Sequence, residues 1–219
     1  MTDKEELMMD VMFPFATPIG RFYTDDENLK KPISDNILKI INDSNEDIYK
    51  FINLKSTPDN LNTRKEFKNL VCFIQQNVEK FTEEVLGIKK SDLSLTAMWS
   101  NVHSSGSKHH HHHHPNSFLS GVYYPYIQNS ENVGHIVFVD PRQAKNMVFA
   151  DFIKSSCISD NHIWIRPKTG MLLLFPSWLQ HGTEPFICLN GNQRVSISFN
   201  YQLNSCTFTT MRISNNIIR

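Results

Sequence analysis

The sequence lacks an excess of charge of either sign. Lysine and arginine number 22 among 219 residues, and aspartate and glutamate also number 22. A chain with no net charge has no field of one sign that would attract a nucleic acid or an anionic membrane surface. We therefore expect neither as a partner.

Cysteine is scarce, and no CxxC pair is present. The four cysteines lie far apart, mostly beside apolar residues, at positions 72, 157, 188 and 206. This spacing is not that of a disulfide framework or a zinc finger, so we expect reduced thiols and no structural zinc. The sequence also has no long uncharged apolar run and no basic signal-peptide start, which favours a cytoplasmic protein.

Hydrophobic residues make up 40% of the chain, enough to fill a core. Pro14 and Pro18 exclude a helix from the aromatic segment 12–23, which we interpret as an edge strand. Such an edge can pair with a second chain, so a homodimer is one expectation.

Two helices are expected next. Ser34 and Asp35 can cap a first helix, whose apolar side chains recur at helical spacing over 37–41. A longer apolar stripe predicts a second helix over 64–86, which Gly87 is placed to end.

From residue 93 onward the pattern changes to short runs rich in β-branched and aromatic residues, separated by turn residues. These runs predict strands of a sandwich or barrel at 93–99, 118–127, 135–139, 162–165, 171–175 and 194–203. We expect a mainly β fold with packed helices. The predicted domain is compact, with an edge strand and helices over 1–92, a β core over 93–205 and an extension over 206–219.

Six consecutive histidines, His109 to His114, lie inside the chain and lead directly into a turn and a strand. That position argues against a purification tag, although a solvated loop that binds metal adventitiously is an alternative. In an extended strand alternate side chains share a face, so His112 and His114 can bind one metal ion. The pair 110 and 112 is equally spaced; we choose 112 and 114 because they adjoin the turn.

A second set of polar residues lies near the end of the chain. His181 follows an apolar strand, and Arg194, Ser196 and Ser198 alternate with apolar residues on the next one. If that face is interior, the guanidinium of Arg194 would be buried without an acidic partner and would be suited to bind an anion. A planar guanidinium can donate two parallel hydrogen bonds to a carboxylate. The alternative is an ordinary sheet with a solvated polar face.

The order of these motifs resembles the iron(II)- and 2-oxoglutarate-dependent oxygenases, and more narrowly the 2OG-Fe(II) oxygenase group of bacteria and marine phages. The resemblance covers about the last half of the chain. Its motifs are Trp99-Ser100-Asn101, His112-x-His114-Pro115-x-Ser117, Ser120-Gly121-Val122-Tyr123-Tyr124, Asp140-Pro141-Arg142, Phe175-Pro176-Ser177-Trp178-x-x-His181 and Arg194-x-Ser196-x-Ser198-Phe199-Asn200. It implies a double-stranded β-helix, the jelly-roll core also found in cupins.

The resemblance also implies roles for individual residues. His112 and His181 match the proximal and distal histidines that bind iron, Arg194 matches the arginine that binds the cosubstrate, and Ser196 and Tyr124 match residues that assist it.

The sequence departs from the superfamily at one ligand. A carboxylate is usual two residues after the first histidine, and this chain has His114 there. Three arrangements remain open: a three-histidine site, a carboxylate supplied from elsewhere with Asp140 as the nearest candidate, or a position filled by water or an anion. Asp140 precedes a proline and is equally interpretable as a turn residue.

The resemblance therefore implies an enzyme, an iron(II)- and 2-oxoglutarate-dependent dioxygenase that hydroxylates an unidentified small molecule or protein side chain with molecular oxygen. If a phage encodes it, the host cytoplasm is its expected location. Two alternatives remain: a three-histidine cupin-type dioxygenase without 2-oxoglutarate, and a non-enzymatic β-barrel binding module.

Overall fold

The computed structural model describes residues 12–43, 46–89, 92–128, 132–147, 151–156 and 158–204. The extension predicted over 206–219 lies outside these ranges. Within them, no helix is both long enough and apolar enough to cross a membrane.

Ten strands and two α-helices make up the regular structure of these ranges. The strands are β1 Gly20–Tyr23, β2 Tyr49–Phe51, β3 Leu54–Ser56, β4 Leu93–His103, β5 Leu119–Tyr124, β6 Ile136–Val139, β7 His162–Ile165, β8 Met171–Pro176, β9 His181–Thr183 and β10 Arg194–Leu203. The helices are α1 Lys31–Asn42 and α2 Lys68–Glu84, and short 3₁₀ turns lie at Glu27–Leu29, Leu61–Thr63, Lys65–Phe67 and Gln143–Met147.

The strands form two antiparallel sheets. The major sheet has seven strands in the order β1-β8-β5-β10-β4-β3-β2, and the minor sheet has three in the order β7-β6-β9. Two apolar clusters hold these layers together: one lies between the major sheet and the helices, and the other lies between the two sheets. This is the double-stranded β-helix with packed helices that the sequence predicts.

Strand β8 shows why the sequences of the core strands are continuous apolar runs. Leu172 and Leu174 belong to the cluster on the helix side, while Met171, Leu173 and Phe175 belong to the cluster between the sheets. A strand buried on both faces needs apolar residues at every position, so its sequence loses the usual alternation.

The N-terminal predictions hold in outline and fail at their boundaries. Of the segment 12–23, only β1 is a strand; it lies at the edge of the major sheet and pairs with β8. The helix over 37–41 begins earlier than predicted, at Lys31, and Ser34 is a buried residue inside it rather than its cap. Pro32 permits the earlier start because the first turn of a helix leaves its N–H groups unpaired in any case.

Candidate metal centre

A cavity of about 60 Å³ opens between the two sheets. The polar side chains that line it come from β4, β5, β10, the histidine tract and β9. They are Asn101, His103, His109, His112, His114, Tyr124, His181, Thr183, Arg194, Ser196 and Ser198. The polar face predicted for β10 is therefore interior, because Arg194 and Ser196 are buried and Ser198 is partly buried.

Three of the histidines that line this cavity converge. His112, His114 and His181 each present a ring nitrogen, and these nitrogens lie within 4.8 Å of one another. Nε2 of His114 and Nε2 of His181 are 3.3 Å apart. Two imidazole nitrogens bound at right angles, about 2.1 Å from one metal ion, would lie about 3 Å apart. The donor set therefore fits a divalent transition metal that accepts imidazole.

Main-chain pairing sets this geometry. The backbone of His112 pairs with that of His181 through two hydrogen bonds, of 2.9 and 3.1 Å, so the tract lies against β9. Close approach requires Gly182 beside it, because a Cβ at that position would lie 2.6 Å from Cδ2 of His111. The tract thus forms an extended, paired segment whose alternate residues, His112 and His114, share a face.

The main chain also fixes the proton positions of two rings. Nδ1 of His112 lies 2.7 Å from the carbonyl of His110, and Nδ1 of His181 lies 2.8 Å from the carbonyl of Leu179. A carbonyl can only accept, so each Nδ1 carries the hydrogen and each Nε2 keeps a lone pair for a metal.

Burial keeps two of these rings neutral. Desolvation lowers the pKa of His181 to about 3 and the pKa of His114 to about 4. Neutral imidazole is the form that binds a metal, so neither ring has to lose a proton near neutral pH.

Arg194 lines the same cavity as the three histidines. Its side chain is buried, and Nη1 donates hydrogen bonds to the carbonyls of Val133 and Gly134 at 2.8 and 2.5 Å. Its Nε has no hydrogen-bond partner, and no carboxylate in the described ranges pairs with the guanidinium. Burying an unpaired cation is costly, so this group is suited to an anion that enters the cavity.

Tyr124 and Ser196 lie on neighbouring strands and line the same cavity. Burial raises the pKa of Tyr124 to about 12, so its phenol keeps its proton and can donate a hydrogen bond. The structure thus brings the residues predicted to bind cosubstrate to one wall.

Asp140 is not brought to the histidine cluster. Its carboxylate accepts hydrogen bonds from the backbone and side chain of Arg142, and it pairs with Nζ of Lys145 at 2.7 Å. The Arg142 hydrogen bonds hold the pKa of this carboxyl well below its usual range. The interpretation of Asp140 as a metal ligand is therefore not supported. The geometry favours the alternative interpretation, in which Asp140 stabilises a turn.

Two further histidines line the cavity without having been singled out as ligands. His103 ends β4, and His109 begins the histidine tract; Nε2 of each is buried without a hydrogen-bond partner. The sequence could not have indicated a functional role for His103, because that role depends on which residue of β10 lies opposite it in the sheet.

Comparisons with known proteins agree with this architecture. The structure resembles a prolyl-4-hydroxylase from Pseudomonas putida (TM-score 0.61, 11% identity, 85% of this chain and 93% of that chain). It also resembles HygX from Streptomyces hygroscopicus, solved with nickel, 2-oxoglutarate and hygromycin B (TM-score 0.60, 14% identity, 86% and 84%). A third similar structure is the 2-oxoglutarate-dependent epimerase SnoN from nogalamycin biosynthesis (TM-score 0.60, 12% identity, 85% and 78%). At these identities the likeness concerns the fold, a double-stranded β-helix.

The sequence comparison defines the class further. Residues 97–200 match the family described as "Putative 2OG-Fe(II) oxygenase". A search of curated proteins found no match. Residues 97–200 are therefore similar to the iron(II)- and 2-oxoglutarate-dependent oxygenases, and the predictions of this family and of an oxygenase are confirmed.

Proposed function

We propose that this protein couples the oxidative decarboxylation of 2-oxoglutarate to the hydroxylation of a substrate, at an iron(II) ion held by His112, His114 and His181. One observation carries the proposal. A cluster of three imidazole nitrogens and a buried guanidinium without an acidic partner lie in the same cavity. A metal ion with a dicarboxylate satisfies both, because one end of the cosubstrate binds the metal and the other end binds the arginine.

When bound, iron(II) supplies the activation of oxygen, and 2-oxoglutarate is converted to succinate and carbon dioxide while a C–H bond gains the second oxygen atom. The protein supplies position and charge. Nε2 of each ligand histidine would bind the metal, and Arg194 would hold the distal carboxylate with the help of Ser196 and Tyr124. Phe175 and Ile136 are buried and give the cavity an apolar wall, which would limit the access of water to the bound metal.

The substrate approaches, we propose, from an open groove beside the metal centre. This groove, of about 1090 Å³, shares Trp99, Asn101 and His109 with the cavity. Its outer wall is the β2–β3 hairpin, where Tyr49 and Phe51 are exposed. Its size admits either a small molecule or a protein side chain. A second copy of the chain, pairing through edge strand β1, stays a prediction that the mass of the protein in solution tests.

The experiment is succinate release from 2-oxoglutarate after oxygen is admitted to anaerobically iron-loaded protein. We expect succinate from the wild type, loss of both iron and succinate in His181→Ala, and retained iron with lost succinate in Arg194→Ala. His110→Ala, an exposed position of the same tract, is the matched control and should behave as the wild type.

Two results would contradict the proposal. Tight iron binding that needs His181, without succinate from the wild type, would favour a three-histidine dioxygenase that does not use 2-oxoglutarate. Full iron affinity and turnover in His181→Ala would show that the metal lies elsewhere.

A further inference from the structure

His103 carries a polar atom that neither the fold nor the metal centre explains. The residue is fully buried, and its Nδ1 lies 2.9 Å from Oγ of Ser107. Its Nε2 has no hydrogen-bond partner. Buried polar atoms are nearly always paired, so an orphaned one in a cavity indicates a ligand or a bound water molecule.

The position of His103 indicates which ligand. It is the last residue of β4, and the antiparallel register places it directly opposite Arg194 on β10. Side chains directly opposite on paired strands project from the same face, and both of these residues line the cavity. Nε of Arg194 is also unpartnered. Two unsatisfied nitrogens on adjacent strands match the two oxygens of one carboxylate.

We infer that His103 is a further cosubstrate-binding residue, whose Nε2–H donates a hydrogen bond to the distal carboxylate of 2-oxoglutarate beside Arg194. This inference rests on the proposed function and adds to it a second donor from β4.

The hydroxyl of Ser107 is suited to select the required tautomer. When Ser107 donates its hydrogen to Nδ1, the ring hydrogen resides on Nε2, where the carboxylate is expected. The pKa of His103 is lowered well below its usual value, first by burial and then by the charges of Arg194 and His109, the titratable groups that face it. A neutral imidazole donates a hydrogen bond without repelling the guanidinium.

The test measures the Kd of 2-oxoglutarate by calorimetry, with nickel-loaded protein so that no turnover occurs. His103→Asn places an amide near the position of Nδ1 and removes the donor at Nε2. A hydrogen bond to a charged group is worth roughly a 10- to 100-fold change in affinity, so the Kd should rise by that factor. His103→Gln, whose amide reaches the position of Nε2, should restore most of the affinity.

A second probe locates the contact on the cosubstrate. The compound 2-oxopentanoate has the same 2-oxo acid end but lacks the distal carboxylate. Its Kd should be the same for His103→Asn and for the wild type, because the lost donor faces a group that this compound does not have. Nickel content and the thermal midpoint check the fold of each variant, and His110→Asn is the exposed control.

The possible results separate this inference from the proposed function. An unchanged Kd for 2-oxoglutarate in His103→Asn overturns the inference, and so does an equal loss of affinity for both compounds. Absence of 2-oxoglutarate binding by the wild type overturns the proposed function and the inference together. Wild-type binding that needs Arg194 but not His103 overturns the inference alone.

Discussion

The proposed ligands of the metal carry no charge of their own. With three imidazoles, the ion keeps its full positive charge, whereas a site with one carboxylate ligand neutralises part of it. His114 stands two residues after His112, where the superfamily has that carboxylate, and the structure brings it into the histidine cluster, whereas Asp140 pairs with Arg142 and Lys145. The ligand role of His114 is therefore the first point to test.

His114→Ala distinguishes a three-histidine centre from a centre with two histidines and an open position. If His114 is a ligand, its loss should weaken nickel binding by at least an order of magnitude, because metal sites depend on their full ligand set. Nickel affinity by calorimetry is the measurement. His113→Ala, at an exposed neighbouring position, is the control. Equal affinity in His114→Ala and the wild type would indicate an open position in place of this histidine.

Gly134 offers a second test at the scale of a single residue. It has a φ of +68°, and a Cβ there would lie 2.5 Å from Nη1 of Arg194. Gly134→Ala should therefore displace the guanidinium and weaken 2-oxoglutarate binding by at least tenfold, in addition to a backbone strain of about 1 kcal/mol or more.

Gly191 provides the matched control. Its φ is +71°, but a Cβ there meets nothing within 4 Å. Gly191→Ala should lower the thermal midpoint through backbone strain alone and leave cosubstrate affinity unchanged. Equal affinity losses in the two variants would show that the contact with Arg194 is not the cause.

Single residues were predictable from the sequence where one local pattern sufficed. The alternation of Arg194 and Ser196 with apolar neighbours, and the two-residue spacing of His112 and His114, are visible within one strand. His103 was not predictable, because its importance arises from the register between β4 and β10. The pairing register of two strands that are far apart in the chain cannot be predicted from a single sequence.

Among the elements, α2 contributes most clearly to the core on the helix side of the major sheet. Ile74 is fully buried there. Ile74→Ala should lower the free energy of unfolding by roughly 2–5 kcal/mol, the usual cost of such a truncation in a core. Urea unfolding measures it. Val85→Ala, at an exposed position just after the helix, should change it by less than about 0.5 kcal/mol. A similar loss in both variants would contradict this packing.

The longer elements were predictable from the sequence, whereas the three-residue strands were not. The long strands β4 and β10 and the helix α2 carry enough residues to show a periodicity, and all three were expected. The strand β9 has only three residues, His181–Thr183, and it is a strand because it pairs with β6. Tertiary pairing defines such short strands, so their sequences give little signal. The hairpin of β2 and β3 was missed for the same reason.

At the scale of the whole molecule, buried neutral histidines predict instability in acid. The folded-state pKa values of His103 and His181 are lowered, so below pH 6.5 the unfolded chain binds protons that the folded protein resists. The free energy of unfolding of the metal-free protein should therefore be highest above about pH 6.5 and should fall as the pH decreases toward 4. The expected slope is about 1.4 kcal/mol per pH unit for each proton that the unfolded chain binds and the folded protein does not.

Urea unfolding of the metal-free protein at a series of pH values tests this expectation. His103→Gln should show a shallower loss in acid than the wild type, whereas His110→Gln should not, because His110 is exposed. A free energy of unfolding independent of pH between 7 and 5 would contradict the assignment of these rings as buried and neutral.

The order of strands in the major sheet has a consequence for how the protein is made. The last described strand, β10, lies between β5 and β4 and joins one half of the sheet, β1-β8-β5, to the other, β4-β3-β2. A chain emerging from the ribosome thus holds two halves with unpaired strand edges until residues 194–203 have been synthesised. The same strand carries Arg194, the proposed cosubstrate residue, so the last described strand completes both the major sheet and the proposed binding site.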